Sequence, residues 1–396
     1  LTIMFVESGQ SGGGSFGSQY LLIREINKEA FQPIVVYLNE TRWVKKVREL
    51  GIPVIVLADS RYSHSVNRNV RKNLNRLERF FDKYFDPLYL EFIRVAHYRT
   101  IKRLRSIIRE FNVDIVHLNN QCNRDIFGIV ASTEENTSCI CHIRSHRADG
   151  FRARRARYIN ANVDWVISAS KNALSHWTER GISQERASVI YNGVRTEQIN
   201  QRCTDELSAR FGIAKGSFLF GSVGALIKLK GHQLLLDAWQ IFSKTHPEAF
   251  LIIIGEGSER QVLTERIAHD RIGRVQLVGY QEDATKIISG LNCLVSTSEN
   301  ENCSRVILEA MATRTPIIAS KVGGNPELVV HEETGLLFNY GDAQDLANVM
   351  AKMVRDSVLR ERFASKGYDR VKSQFSVEGY ISRVEEVYRQ VGTSRT

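Results

Sequence analysis

Residues 296–312 read STSENENCSRVILEAMA, and outward from this stretch the rest of the chain falls into order. A short β-rich run, Cys293 to Ser296, ends in a polar loop, and the loop ends at Ser304, where a helix N-cap is expected before the apolar run that follows. The first-turn amides from Arg305 and Val306 onward then have no intrahelical acceptor, and with the helix dipole they form a natural seat for a diphosphate. Glu301 falls in the loop and Glu309 more than one turn into the helix, placed to accept hydrogen bonds from hydroxyls on either side of that diphosphate. Spacing alone also fits a plainer reading, in which Glu301 is a solvated loop carboxylate and Glu309 a helix-surface one.

On either side the same rhythm repeats. In the first half, strands are expected at Thr2 to Val6, Pro33 to Leu38, Pro53 to Leu57, Asp114 to Leu118, Ser138 to Ile143 and Trp165 to Ser168. A second cycle supplies Phe218 to Val223, Phe250 to Ile254, Val275 to Val278, Cys293 to Ser296 and Pro316 to Ala319. Strands alternating with amphipathic stretches predict an α/β chain with two Rossmann-like domains and a central cleft at the carboxyl ends of the strands. The expected division is 1–192 for the N-terminal domain, joined by a C-terminal helix within 377–396, and 193–376 for the second. Tyr191-Asn192-Gly193 reads as a turn opening a polar linker that runs to Lys215.

The chain has 396 residues, 43% apolar and 25% charged, enough for two ordinary cores. Its longest apolar runs are strand-sized, and no signal peptide is read at the start, where Leu1 to Val6 leads into a Gly-rich loop. Six cysteines without a CxxC pair or metal-ligand spacing suggest reduced thiols and a cytosolic setting. Lys plus Arg exceed Asp plus Glu by ten, which suggests an anionic partner. No nucleic-acid module accompanies the bases, six of which are the arginines between Arg144 and Arg157, so nucleic acid is not the expected partner. From Leu77 to Arg109 aromatics and bases mix on a stretch expected to be helical and broken near Pro87. That stretch suits either an anionic membrane surface or packing into the N-terminal core.

Glu301, seven intervening residues and Glu309-Ala310-Met311-Ala312 resemble the E-x7-E motif of the retaining glycosyltransferases of family four, which have the GT-B fold. Further motifs follow in register: Val223-Gly224 with Lys230-Gly231-His232, Leu251 to Ile254 with Gly255-Glu256-Gly257, Val278-Gly279-Tyr280, Gly323-Gly324 with Glu327, and Gly335-Leu336-Leu337. The resemblance spans nearly the whole chain. It implies that Glu309 binds the nucleotide ribose, that Glu301 contacts the donor sugar, and that Lys230 neutralises the diphosphate leaving group. Gly255, Gly279 and Tyr280 would line the nucleotide, and Gly13 and Gly14, in the Gly-rich loop after the first strand, would approach the donor diphosphate. A sugar contact is implied near the end of the Ser138 to Ile143 strand, at Arg144, Ser145 or His146, with His146 the preferred candidate, and an acceptor-side position at His117. A nucleoside diphosphate sugar, UDP first, would be substrate, with no cofactor and no metal; a glycan or polyprenyl-linked acceptor at the inner membrane face would receive the sugar.

Two departures stand out. Ala225 occupies the place of an expected Arg, with Lys228 as a possible substitute, and Asn302-Cys303-Ser304 replaces Gly-Phe-Gly. A nucleotide-sugar epimerase or phosphorylase of the same fold, or a non-catalytic nucleotide-sugar-binding subunit, are the competing readings.

Overall fold

The computed structural model describes residues 1–9, 13–57, 89–122, 124–145, 151, 153–196 and 204–393. Two compact units divide them, 1–191 with 380–396 and 192–379.

In the first unit seven strands form a parallel sheet: β1 (Thr2–Glu7), β2 (Gln32–Tyr37), β3 (Val54–Val56), β4 (Ile115–Leu118), β5 (Ser138–Ile143), β6 (Trp165–Ser168) and β7 (Ala187–Val189). Their order is β3-β2-β1-β4-β5-β6-β7, so the winding reverses between β1 and β4, where Ile3 to Val6 pairs in register with Ile115 to Leu118. The strands read as continuous apolar runs because both faces are covered, as parallel sheets require. One face carries Met4, Val6, Val116, Leu118, Cys139 and Cys141 into a core completed by Leu104, Ile107, Ile108, Phe127 and Val130. Leu104, Ile107 and Ile108 lie on the helix Tyr98–Glu110, which the sequence reading left divided between membrane and core. The helix serves the core with its apolar stripe and leaves Arg99, Lys102 and Arg103 exposed; Tyr98 is 60% exposed, and Val95 just before it 77%. The part of the aromatic-basic stretch from 77 to 88 lies outside the described residues.

The other face of this sheet meets the C-terminal helix, Val377–Thr393, through Tyr380 and Tyr388. Phe5 on β1, His117 on β4 and His142 on β5 share that face, since Phe5 pairs with His117 and His117 with Ile140, two residues before His142. Tyr388 Oη lies 2.6 Å from His117 Nδ1, His117 Nε2 lies 3.3 Å from His142 Nδ1, and Arg144 Nη2 lies 3.3 Å from that same Nδ1. Arginine can only donate, so His142 Nδ1 accepts and its proton sits on Nε2; His117 then donates from Nε2 and accepts from Tyr388 at Nδ1. Both rings are buried and neutral. Burial, followed by the Arg144 charge, pushes His117 down to about 3 and His142 well below the ordinary imidazole value.

The second unit repeats the plan with β8 (Phe218–Val223), β9 (Ala249–Ile254), β10 (Val275–Gly279), β11 (Cys293–Ser296), β12 (Ile317–Ser320) and β13 (Leu336–Phe338). All pair in parallel in the order β10-β9-β8-β11-β12-β13, which puts the reversal between β8 and β11. Phe220, Trp239, Phe242, Leu251, Val295 and Phe338 anchor its core. Two parallel-sheet, Rossmann-like units give the GT-B architecture expected from the sequence. Two three-residue edge strands, β7 and β13, were not foreseen as strands. Among the described residues no helix is long and apolar enough to cross a membrane.

The buried titratable groups of the first unit act in opposite directions on stability. His117, depressed to about 3, favours folding above pH 6.5, and that contribution drains away as pH falls because the unfolded chain takes the proton first. Asp125 is pushed up to about 6, chiefly by burial, so its contribution is complete below pH 3.8 and is lost as pH rises through 6. Urea midpoints should therefore fall between pH 7 and 5, each neutral histidine contributing about 1.4 kcal/mol per pH unit. His117→Gln should flatten that slope and Asp125→Asn steepen it; parallel slopes in all three proteins would contradict the buried neutral pair.

Candidate functional site

The predicted site residues of the second unit gather where its sheet reverses direction, at the carboxyl ends of β8 and β11, with contributions from the loops after β9 and β12. In open parallel sheets this reversal leaves a crevice that ligands use. After β8 the chain runs through Gly224 and exposed Ala225 into a short 3-10 turn, Lys228–Lys230, and then the helix His232–Phe242. Gly231 joins turn to helix with φ of 66°, and a Cβ there would stand 2.1 Å from the Thr297 carbonyl oxygen. The Thr297 hydroxyl donates to the Lys230 carbonyl at 3.0 Å, and the Glu299 amide to the Leu229 carbonyl at 2.8 Å. The loop after β8 is thereby sewn to the loop after β11.

Similar close approaches hold the other loops. Gly255, φ 145°, would put a Cβ 1.8 Å from the Gly224 carbonyl oxygen, while the Leu226 amide donates to the Glu256 carbonyl at 2.9 Å. Gly323, φ 52°, would put one 2.0 Å from the Glu301 carbonyl oxygen, which accepts from the Gly324 amide at 2.8 Å. Gly279, φ 76°, closes β10, its carbonyl accepting from the Gly255 amide at 2.9 Å, and Tyr280 beside it is half-exposed.

Lys230 and Glu301 are brought into contact: the Lys230 ammonium donates to Glu301 Oε1, which also accepts from the Ser298 hydroxyl at 2.9 Å. Both are mostly covered, with side chains 27% and 13% exposed, so the pair is more than a solvated surface bridge. Ser304 occupies the N-cap position of the helix Arg305–Ala312 in extended backbone, but its hydroxyl accepts from no helix amide. The helix thus begins without the side-chain cap that its sequence suggests. Glu309 is 14% exposed and accepts from Arg305 at 3.0 Å, an i,i+4 ion pair near the helix start. His232, two residues after Lys230, is pushed down to about 4 by burial and then by the Lys230 charge.

Asn302 and Cys303 hold positions that sequence reasoning did not assign. Cys303 Sγ lies 3.3 Å from the Asn192 amide and its carbonyl accepts from Asn192 Nδ2 at 2.9 Å. Asn192, read from the sequence as part of a linker turn, is instead 6% exposed and clamps the motif loop. Only a lone Asn in a turn signalled it, and turn chemistry does not distinguish a solvated Asn from a buried one.

In the first unit Gly13, at the N-cap position, and Gly14, the first residue of the helix Gly14–Glu25, are exposed, and the loop residues 10–12 lie outside the described set, as does His146. Around the end of β1, Glu7 is fully buried. Its carboxylate accepts from the Gly9 amide at 2.7 Å, from Asn119 Nδ2 at 2.6 Å and from Asn120 Nδ2. Burial raises its pKa against those hydrogen bonds. Asn119 Oδ1 accepts from Arg144 Nε at 2.9 Å. Arg144, one of the two alternatives to His146, therefore enters a buried polar chain reaching back to Glu7. His117 lies in the core of this unit rather than at its surface. Among the described residues no cluster of three or more His, Cys, Asp or Glu could hold a metal.

Residues 204–370 match the family Glycosyl transferases group 1, and residues 41–198 match Glycosyltransferase Family 4. N-acetyl-alpha-D-glucosaminyl L-malate synthase of Bacillus anthracis is 26% identical over 230 residues, 57% of this chain and 60% of that protein. The lipopolysaccharide core biosynthesis glycosyltransferase LpsE of Rhizobium meliloti is 30% identical over 176 residues, 44% and 49% of the two chains. The chain thus spans about half to three-fifths of these curated relatives. In fold it is similar to Anabaena HepE, solved in complex with UDP, at a TM-score of 0.77 with 20% identity over 98% of this chain and 100% of the other. A glycosyltransferase from Rickettsia africae gives 0.78 with 19% identity, covering 100% and 99%. The matches in both halves support the glycosyltransferase group 1 assignment made from the sequence.

The glycine contacts can be tested by pairing two left-handed positions. Gly216 has φ of 84° and nothing within 4 Å of a built Cβ, whereas Gly231 meets the Thr297 carbonyl. Gly216→Ala should cost about 1 kcal/mol in urea unfolding and Gly231→Ala more than about 2 kcal/mol. Equal costs would mean that the close approach at Thr297 is not a constraint.

Proposed function

We propose that this chain, with glycosyltransferase matches in both halves and two Rossmann-like units of the GT-B class, transfers a sugar from a nucleoside diphosphate donor to an acceptor hydroxyl. The observation that carries the reading is the meeting of Lys230 with Glu301 beside the uncapped start of the helix Arg305–Ala312, where the β8–β11 reversal puts them. Breaking the anomeric C–O bond leaves negative charge on the diphosphate. A fixed ammonium and a set of free helix amides stabilise that charge as it forms. With Lys230 and those amides supplying positive potential, the reading assigns the leaving group no metal ion.

Within it, Glu309 accepts from the ribose hydroxyls, Glu301 faces the donor sugar, and Gly255, Gly279 and Tyr280 border the nucleotide. Gly13 and Gly14 let backbone approach the donor closely, and His146, or in its place Arg144 or Ser145, contacts its sugar. The E-x7-E resemblance supports retention of anomeric configuration. UDP is the favoured nucleotide, a choice supported by the UDP held in Anabaena HepE. A glycan or lipid-linked acceptor is in keeping with the name of the Rhizobium relative.

The reading includes a docking face for anionic lipid on the helix Tyr98–Glu110. Among the described residues Arg99, Lys102 and Arg103 join no acidic partner, in contrast to Arg94, Arg105 and Arg109, which pair with Glu134 or Glu135. Exposed Val95 and Tyr98 supply the apolar component that such a surface needs.

Calorimetry and steady-state kinetics separate the two assigned roles. Glu309→Ala should weaken UDP binding roughly tenfold or more. Lys230→Ala should lower turnover on the order of 100-fold with a smaller effect on UDP affinity. Unchanged UDP affinity in the first, or normal kcat in the second, would remove that residue from its role. In vesicle flotation the protein should rise with phosphatidylglycerol-containing vesicles and not with phosphatidylcholine alone. Converting Arg99, Lys102 and Arg103 to Gln should cut that binding by about 100-fold, at about 1 kcal/mol for each base; flotation insensitive to charge would rule out this face.

A further inference from the structure

The loops after β1 and β4 flank the reversal of the first sheet, and two fully buried carboxylates, Glu7 and Asp125, tie one to the other. Asp125 lies just before the helix Ile126–Glu134. Its Oδ1 accepts from the Ser8 hydroxyl, while Oδ2 faces the amides of Asn120 at 3.3 Å and Gln121 at 3.4 Å. Glu7 accepts from the Gly9 amide and from the carboxamides of Asn119 and Asn120. Gly9 is confined besides: a Cβ there would stand 2.6 Å from the Phe16 ring and 2.8 Å from Glu7 Oε1. At the far end of the Gly-rich stretch, Asn119 Nδ2 also donates to the Ser15 carbonyl at 3.4 Å. Both ends of that stretch are thus fixed to one acidic cluster, and between them lie Gly13 and Gly14, the uncapped start of the helix Gly14–Glu25. Packing alone does not explain a carboxylate at Asp125. A buried charge is costly, and a neutral side chain of the same size fills the space without that cost.

We propose that Asp125 is a positioning residue that, through Ser8, holds Gly13 and Gly14 where their backbone receives the diphosphate of the donor, an inference that rests on the donor assignment above. The direction of one hydrogen bond carries the effect. As a carboxylate Asp125 can only accept, so the Ser8 hydroxyl donates to it in a strong, charge-assisted bond. The Ser8 oxygen is then left to accept from Asn120 Nδ2, 3.4 Å away. A carboxamide or a protonated acid at position 125 reverses that order. Two amides face Oδ2, so the hydrogen has to lie on the side of Ser8. The Ser8 oxygen then accepts from two donors while its own proton loses its acceptor, and the hold on the start of the loop weakens with no change in side-chain size. Burial pushes Asp125 up to about 6, and the Glu7 charge adds to it against the pull of the Ser8 bond, Arg124 and the Gln121 amide. Arg144, bonded to Asn119, bears on Glu7 instead.

Calorimetry on the full chain compares UDP with UMP, which keeps the base, the ribose and one phosphate. At pH 7.5, Ser8→Ala and Asp125→Asn should each raise the ratio of the UDP to the UMP dissociation constant about tenfold, in line with the loss of one charge-assisted hydrogen bond. UMP affinity should stay constant, and the double variant should lose no more than either single one, because the two residues act as a unit. At pH 5 the wild-type ratio should converge on that of Asp125→Asn at the same pH, a comparison from which ionisation of the nucleotides cancels. Neither substitution enlarges a side chain, and both variants should melt within a few degrees of wild type. Equal losses of UDP and UMP affinity would mark a merely structural role and overturn the proposal. An unchanged ratio in Ser8→Ala, or a wild-type ratio that stays apart from that of Asp125→Asn at pH 5, would overturn it as well. A wild type that binds neither nucleotide would overturn the donor assignment on which the proposal rests.

Discussion

Three backbone contacts in the second unit that leave no room for a side chain carry the rest of its site. Gly231 against the Thr297 carbonyl, Gly255 against the Gly224 carbonyl and Gly323 against the Glu301 carbonyl each bring a Cα to where a Cβ would overlap an oxygen. Each glycine also sits at positive φ, a region other residues adopt at a cost. Steric exclusion thus joins the loops after β8, β9, β11 and β12 into one piece of backbone. The chemistry proposed above depends on that rigidity. Lys230 is a flexible side chain with three N–H donors, and Glu301 and the turn it rises from fix where those donors can be presented. Glu301 takes one of them and leaves the others. Electrostatic stabilisation of a leaving group works through charges already in position, and in the reaction we propose that position would be supplied by the glycine contacts rather than by the charged residues themselves.

The first unit solves a similar problem with side chains. At the ends of β1, β4 and β5 a buried polar chain runs from Glu7 through Asn119 to Arg144, and from Arg144 through His142 and His117 to Tyr388. Every link is directional, and each buried group depends on the next for its hydrogen bonds, so the chain is stiff only while complete. His142 Nε2 is the one ring nitrogen of the histidine pair with no partner, a cost borne inside the core. Tyr380 and Tyr388 come from the C-terminal helix, so that helix belongs to this unit by polar bonding as well as by packing.

Most of the strands that sequence reading located are buried on both faces, where apolar composition is unavoidable, though the half-buried edge strands β3 and β10 were located as well. β5, β6, β8 and β11 fall where their β-rich runs begin and end. β7 and β13 escaped because each offers a shorter β-rich run than Pro53 to Leu57, which marked the equally short edge strand β3, and their pairing is set by the sheet they join. The glycines at 231, 255 and 323 were legible as motif letters, but the carbonyl that each must avoid lies far away in sequence. For the same reason Asn192, 111 residues from Cys303, could only be read as a turn. Ser304 shows the converse: its type and position predict a cap, yet the cap bond is absent, since the loop geometry fixed by Gly324 and Asn192 decides where that hydroxyl goes.

These observations separate two kinds of position within one motif. Residues whose backbone is pinned from outside, such as Glu301 at its carbonyl and Cys303 at both sulfur and carbonyl, are constrained by the architecture. Cys303, 7% exposed where an aromatic ring is expected from the resemblance, shows that such a place can change side chain when a neighbour compensates; here Asn192 is that neighbour. Ala225 and Asn302 make no side-chain bond within the fold, the first because it is exposed and has none to make, the second because none reaches it. Substitution at positions like these leaves the loops as they are and changes only what the loops present. Of the departures of this chain from the family pattern, Ala225 and Asn302 thus lie where variation costs the architecture little, while Cys303 lies where a neighbour has to match it.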